Sequence, residues 1–172
     1  MDSDPQPVRT PAREIADAWR RERPGTPVES IEVVTPLWRL AKLFADDRRR
    51  VLAEAGVDSA TLDLLSVLRR SGSPYELSTR ELGARTLVTA GAISQRVARA
   101  EKQALVARTP GSGRAVLVRL TGAGHALVER TVDQVLGREA QLVSGLTAHQ
   151  RQGLVDLLDV LLVDVSRRTA SS

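Results

Sequence analysis

The sequence contains no cysteine and only two histidines, His125 and His149. The lack of thiols excludes a disulfide scaffold, a thiolate metal site and a cysteine nucleophile. Two imidazoles are too few for a metal or acid–base centre built on several histidines. The sequence also shows no serine–histidine–aspartate arrangement and no phosphate-binding glycine loop. It therefore does not predict an enzyme, and we expect neither a metal nor a cofactor.

Aromatic residues and long apolar runs are scarce as well. The chain of 172 residues has two tryptophans, one tyrosine and one phenylalanine, and no apolar run approaches the roughly 20 residues that a membrane helix needs. The first five residues lack the basic and apolar segments of a secretory signal. A hydrophobic content of 42% nevertheless suffices for a core. We expect a soluble cytoplasmic protein with no membrane contact, built as one domain or as one domain with an elaborated end.

Lysine is nearly absent, since 23 of the 25 basic residues are arginine, and the net charge is only +4. Because arginine keeps its proton far above neutral pH, the sequence pI of about 10.5 exaggerates this small excess. The distribution of charge is more informative. Residues 66–119 carry ten basic and three acidic side chains, a net +7, whereas the rest of the chain is net −3. A basic middle between acidic ends predicts that one segment faces a polyanion.

Apolar periodicity and capping residues predict a mainly helical chain. Thr10 is the expected N-cap of the first helix, with Pro11 at its first position, and Gly56 is expected to end the second. Asp58 or Ser59 caps the third helix, and Ser78 with Glu81 forms a capping box for the fourth. The predicted helices span about residues 9–22, 28–55, 59–70, 79–85, 90–106, 122–144 and 148–165, the last with an apolar stripe from Leu154 to Val165.

Two β-prone segments follow the fifth helix and predict a hairpin. They span residues 105–109 and 115–120 and are joined by a glycine-rich tip at 110–114. Residues 75–77 are a candidate for a very short strand. The order helix, short helix, helix, β-hairpin is typical of a winged helix-turn-helix. The predicted fold class is therefore mainly α with a small β-hairpin wing.

The helix at 90–106 is the candidate recognition helix for double-stranded DNA. Its buried face is predicted to be Ile93, Val97, Ala100 and Ala104, and small residues at its N-terminus allow a close approach to DNA. Gln95 and Arg99 are expected to read base edges, and Thr89 and Ser94 to bind a base or a phosphate. Arg114 at the hairpin tip is expected to reach into a minor groove. The predicted DNA-binding set is Thr89, Ser94, Gln95, Arg99, Lys102 and Arg114.

Two segments resemble the MarR family of transcription regulators. Residues 87–108 resemble its recognition helix, and residues 114–124 resemble its wing and the start of the next helix. Ala104 stands where a glycine is common, and residues 111–113 replace an acidic residue often seen at the wing tip. The resemblance covers roughly residues 28–165. It implies a homodimer that binds a pseudo-palindromic operator and represses transcription until a small ligand releases it.

The apolar stripes of the terminal helices independently favour a homodimer, because a small winged-helix core cannot cover them all. The expected organisation has a DNA-binding region at residues 58–120 and dimerisation helices at 28–57 and 121–166. An extra helix at 9–24 precedes them. Residues 1–8 and 167–172 are expected to be flexible ends.

The extra helix, together with residues 61–75, resembles the urate-responsive subgroup of the MarR family. The positions that match the pocket of that subgroup are Trp19, Asp63, Arg96 and Arg108. A planar anion such as urate can stack on an indole and pair with a guanidinium. Citrate, aconitate and phenolic acids are alternative ligands, and Arg96 is open to a role toward ligand, DNA or both. A DNA-binding architectural protein, or a regulator without any effector, is the alternative function.

Overall fold

The computed structural model describes residues 10–86, 88–111 and 115–170. The chain divides into two compact units, residues 1–50 and residues 51–172. The predicted flexible N-terminus at residues 1–8 and the last two residues of the predicted flexible tail at 167–172 lie outside the described residues, as do residues 112–114 of the predicted hairpin tip, Arg114 among them. Within the described ranges, no helix is long and apolar enough to cross a membrane.

The N-terminal unit contains α1 (Ala12–Glu22) and most of α2 (Ile31–Glu54). The predicted start of the first helix is wrong by one residue, because the N-cap is Pro11 and not Thr10. Pro11 has an extended ψ of 145°, and its carbonyl accepts hydrogen bonds from the backbone N–H groups of Glu14 and Ile15. This proline therefore precedes the helix and has no helical position within it.

The second helix starts three residues later than predicted, at Ile31, and ends where glycine was expected to end it. Gly56 has a φ of +68°, in the left-handed region that glycine enters without a Cβ penalty. Val57 then donates its backbone N–H to the carbonyl of Leu52. The apolar positions of α2 before residue 50 are half-buried or exposed, and Trp38 is 73% exposed.

The C-terminal unit begins with the residues of a helix-turn-helix. These are α3 (Ser59–Arg70), β1 (Glu76–Ser78), α4 (Thr79–Thr86) and α5 (Ala90–Lys102). The Asp58 carboxylate caps α3 by accepting from the Thr61 backbone N–H, which settles the choice between Asp58 and Ser59. The capping box of Ser78 and Glu81 is confirmed, since each side chain accepts from the other's backbone N–H. The capping residues therefore predicted the starts of α3 and α4 correctly.

A three-stranded antiparallel sheet completes the winged helix. The strands β2 (Val106–Pro110) and β3 (Val116–Leu120) form the predicted hairpin. The short β1 also pairs with β3, placing Glu76 opposite Arg119, so the strand order is β1-β3-β2. The core of the unit lies beneath this sheet and between α3, α4, α5 and α6 (Gly122–Leu142), and its fully buried side chains include Leu62, Leu64, Leu65, Leu68, Leu82, Ile93, Val97, Val118 and Val128.

Three predicted helix ends are wrong. The fifth helix ends at Lys102, not near 106, and Ala104 is exposed with a φ of +57° instead of lying on the buried face. A left-handed residue at this point turns the chain directly into β2, as a C-terminal glycine usually does. The sixth helix ends at Leu142, two residues before its predicted end at 144.

The last helix, α7 (Ala148–Ala170), runs past its predicted end at Val165. Residues 167–170, expected to belong to a flexible end, are helical: Arg168 pairs with Asp164 one turn earlier, and two arginines occupy the last turn. Positive charge at a helix C-terminus is favourable toward the helix dipole.

Candidate nucleic-acid interface

The capped start of α5 fixes which side of this helix points outward. The Thr89 hydroxyl accepts a hydrogen bond from the Ala92 backbone N–H, 3.3 Å away. Ile93, Val97 and Ala100 are completely buried and hold the opposite side of the helix against the core. Four predicted DNA-binding side chains share the exposed side, and we refer to them as the reading face: Ser94, Gln95, Arg99 and Lys102.

The wing is closed near its tip and joined to β1 by side-chain contacts. The Gly111 backbone N–H donates to the Ala115 carbonyl over 2.8 Å, which joins the two sides of the hairpin. Across the sheet, Glu76 of β1 accepts a hydrogen bond from the Thr109 hydroxyl at 3.1 Å and pairs with Arg119 at 3.5 Å. Glu76 thereby links all three strands of the sheet. Its role was not predicted, because it contacts partners 33 and 43 residues away in the sequence.

Arg99 of the reading face forms an ion pair with Asp58, the N-cap of α3. Arg99 Nη1 lies 3.6 Å from Asp58 Oδ2. Partial burial raises the pKa of Asp58, but hydrogen bonds from the Thr61 backbone and hydroxyl, together with the charge of Arg99, outweigh it and leave this pKa below its usual value. Asp58 is therefore a carboxylate that stays charged beside the candidate DNA-binding surface.

The short helix α4 adds positive charge to the same unit. Arg80 and Arg85 are both exposed on it. The pKa of Glu81 is lowered by the hydrogen bonds that the Ser78 hydroxyl and backbone N–H donate to its carboxylate. The Glu81 carboxylate therefore serves to cap α4. The two arginines continue the basic segment that the charge distribution had indicated.

The four predicted ligand residues lie on four different elements. Asp63 of α3 and Arg96 of α5 are half-buried on two helices that pack against each other. Arg108 of β2 lies 3.4 Å from Glu101 of α5, so it forms an ion pair with an acidic residue outside the predicted set. Trp19 belongs to α1 of the N-terminal unit and is 47% exposed.

A cleft of about 220 Å³ lies beside the Asp58–Arg99 pair. The residues that line it come from the end of α2, the start of α3, the turn after α5 and α6: Gly56, Val57, Asp58, Thr61, Gln103, Leu105 and Leu127. The cleft contains none of the four predicted ligand residues. Asp58 therefore lines this cleft and also contacts Arg99 of the reading face.

The comparisons with known proteins agree with this arrangement. A model described as MarR family matches residues 55–115. The HTH-type transcriptional regulator PecS of Dickeya dadantii is 29% identical over 147 residues, covering 84% of this chain and 89% of PecS. The matched segment contains α3, α4, α5 and the first strand of the wing, which are the elements that form the candidate interface.

Solved structures share the fold. A mutant MarR from E. coli, in complex with operator DNA, is 26% identical, with a TM-score of 0.61 over 76% of this chain and 96% of that one. Sco5413, a MarR family transcriptional regulator from Streptomyces coelicolor, has a TM-score of 0.65 over 80% of this chain and 96% of its own, and at 22% identity it shows the fold alone. The chain is therefore similar to MarR family regulators over its helix-turn-helix and shares their fold.

Proposed function

We propose that this chain is a MarR-family transcriptional regulator, that it places α5 in the major groove of an operator and that it acts as a repressor. The observation that carries the proposal is the reading face, whose four polar or basic side chains lie opposite three completely buried ones. An α-helix fits the major groove, where Gln and Arg side chains distinguish base pairs by their edges. The E. coli MarR structure, which has the same fold, contains operator DNA.

The wing and the capping residue extend this interface. Thr89 is exposed at the N-terminus of α5, where backbone N–H groups and the helix dipole favour a phosphate. Arg114 remains the predicted minor-groove contact at the hairpin tip. With Lys102 they supply the sequence-independent part of the affinity, and Gln95 and Arg99 supply the base contacts.

A gel-shift titration on the DNA upstream of the protein's own gene tests the DNA-binding proposal. A scrambled duplex of the same length and base composition is the control. We expect saturable binding at a protein concentration at least about a hundredfold below that needed for the scrambled duplex. Equal affinity for both duplexes would contradict a sequence-specific regulator and favour an architectural DNA-binding protein.

We further propose that the protein acts as a homodimer through its terminal helices. None of the side chains of α7 is buried, and its exposed large apolar residues are Leu154, Val155, Leu157, Val160, Leu161, Leu162, Val163 and Val165. Leu157 and Val160 are 71% and 70% exposed. A contiguous apolar surface of this kind is characteristic of an interface. A two-fold axis would also match two operator half-sites about ten base pairs apart.

Sedimentation analysis tests the dimer directly. The wild-type chain is expected to sediment at twice its monomer mass, and Leu157→Glu to sediment as a monomer because a buried carboxylate opposes association. His149→Glu, at an exposed position in the first turn of α7, is the matched control and is expected to stay dimeric. A monomeric wild-type protein at micromolar concentration would exclude this assembly.

The ligand-responsive part of the proposal centres on Arg96. Since successive helical residues are separated by about 100°, Arg96 projects to the side of Gln95 and of the reading face. Arg96 is half-buried, and together with Arg108 on β2 it offers positive charge to a small anion such as urate. Asp63 on the adjacent helix supplies a carboxylate that would hold an arginine until the anion displaces it. Trp19 enters this set by resemblance alone. Because Arg96 and the reading face are on the same helix, an anion that binds the DNA-free state more tightly would release the operator.

Thermal unfolding with a panel of anions tests the effector. We expect urate, or else citrate, aconitate or a phenolic acid, to raise the melting temperature, since a ligand that binds only the folded state stabilises it. The same ligand should release the operator in the gel shift. No stabilisation by any member of the panel would favour a regulator without an effector.

A further inference from the structure

The pairing of Arg99 with Asp58 joins the reading face to the first helix of the helix-turn-helix. Arg99 is 60% exposed and Asp58 is 47% exposed, and their charged atoms are 3.6 Å apart. An exposed pair at this distance contributes little to folding stability, because solvent screens it. Its effect on where the guanidinium points is therefore of greater interest than its energy.

The Asp58 carboxylate is rigidly held by a buried neighbour. Its Oδ1 accepts from the Thr61 backbone N–H at 2.9 Å, and its Oδ2 accepts from the Thr61 hydroxyl at 2.8 Å. Thr61 is only 4% exposed, so the group that orients the carboxylate is part of the packed core. Arg99, on a long side chain with several rotatable bonds, is the movable partner of a fixed anion.

We infer that Asp58 is a positioning residue that sets the sequence specificity of Arg99, an inference that rests on the proposed docking of α5 in DNA. An unrestrained arginine binds any phosphate, and such contacts carry no sequence information. Pairing with Asp58 offsets that charge and keeps the Nη1 end of the guanidinium near the carboxylate, 3.6 Å away. The remaining N–H donors stay available for the O6 and N7 acceptors of a guanine that is correctly placed.

Asp58→Asn separates positioning from capping. The asparagine oxygen can still accept from the Thr61 backbone N–H, and asparagine is as good an N-cap as aspartate, so the fold is retained. We expect affinity for scrambled DNA to rise about three- to tenfold and the plot of log affinity against log salt to steepen by about one. The ratio of operator to scrambled affinity should fall about tenfold, the size of one lost base contact.

Two further variants isolate the effect. Asp17→Asn removes the same charge from another aspartate–arginine pair, Asp17–Arg20 on α1, and should leave the affinity ratio unchanged. Asp58→Asn placed in an Arg99→Ala background should also produce no further loss of specificity, because its effect acts through Arg99. Asp58→Ser, which preserves a good N-cap, replaces Asp58→Asn if that variant unfolds.

The outcomes distinguish this inference from the proposed function. If Arg99→Ala leaves operator affinity unchanged, the docking of α5 is wrong and the inference falls with it. If Arg99→Ala weakens binding but Asp58→Asn alters neither the affinity ratio nor the salt dependence, only the positioning role is overturned. An equal effect of Asp58→Asn with and without Arg99 would show general repulsion of DNA by a carboxylate and would also overturn it.

Discussion

Gly124 lies directly against the backbone of Leu105. A Cβ on Gly124 would overlap the Leu105 carbonyl oxygen, and that carbonyl already accepts hydrogen bonds from the Thr121 backbone N–H and hydroxyl. Thr121 in turn caps α6 by accepting from the Gly124 backbone N–H at 3.0 Å. The entry to β2 and the start of α6 are thus locked together at a point that admits no side chain.

The first prediction concerns this close approach. Gly124→Ala should lower the free energy of unfolding by about 1–3 kcal/mol or more, because the added methyl meets backbone and cannot be accommodated by a rotamer change. Urea denaturation followed by circular dichroism measures the change. Gly137→Ala in the same helix is the control, since its Cβ would meet nothing within 4 Å, and it should stabilise by up to about 1 kcal/mol. Equal effects of the two substitutions would contradict the contact.

The second prediction concerns Ala104, which has a φ of +57° at the end of α5. The left-handed conformation costs an L-residue about 1–2 kcal/mol, and glycine avoids this cost while losing somewhat more entropy on folding. Ala104→Gly should therefore stabilise the protein by about 0.5–1 kcal/mol in the same denaturation experiment. Ala98→Gly, at an exposed position within α5, should instead destabilise it by about 1 kcal/mol. A destabilised Ala104→Gly would show that this turn is not strained.

The third prediction concerns the buried hydroxyl of Thr131. Thr131 is 0% exposed, and in the part of the chain that the structure describes its Oγ1 has no hydrogen-bond partner. Thr131→Val keeps the shape and removes the unsatisfied group, so we expect a gain of about 1 kcal/mol in unfolding free energy. Thr61→Val is the contrasting substitution, because the Thr61 hydroxyl donates to Asp58, and it should destabilise. Loss of stability in Thr131→Val would indicate that the hydroxyl has a partner.

The fourth prediction concerns pH. The pKa of Asp58 is lowered in the folded state, so its ionised form contributes stability above the unfolded pKa, and this contribution disappears as pH falls through the folded pKa. Wild type should exceed Asp58→Asn in stability at pH 7, and the difference should shrink as the pH is lowered below about 4. Unfolding curves at pH 7, 5 and 3 measure it. If the stability difference between wild type and Asp58→Asn grew as the pH fell, the pKa of Asp58 would be raised, not lowered, in the folded state.

The fifth prediction separates ligand binding from DNA binding on one helix. Arg96→Ala should leave operator affinity within about threefold of wild type and abolish release by the anion that stabilises the wild-type protein. Lys102→Ala on the reading face is the matched control, and it should weaken DNA binding while leaving the anion's thermal stabilisation intact. Normal release of DNA from Arg96→Ala would show that the anion binds elsewhere.

Local chemistry explains which features could be read from the sequence. The capping box of Ser78 and Glu81 and the glycine end of α2 each depend on residues within about four positions of each other. The hairpin likewise follows from two β-prone runs around a glycine-rich turn. The errors lie at helix ends, where competing local conformations differ by little energy. At Ala104 the chain adopts a conformation that its side chain disfavours, because the next strand must begin there.

The winged-helix order, the basic middle segment and the exposed side of α5 all followed from the amino-acid sequence, since periodicity and capping are properties of neighbouring residues. Which charged side chains form ion pairs could be learned only from the folded structure. It pairs Arg99 with Asp58, Arg108 with Glu101 and Glu76 with Arg119. The first and last of these pairs span about forty residues, and even the nearby Arg108 and Glu101 meet only because the chain turns at Ala104. Ion pairs depend on distances of a few ångströms, and those distances are set by how the core packs.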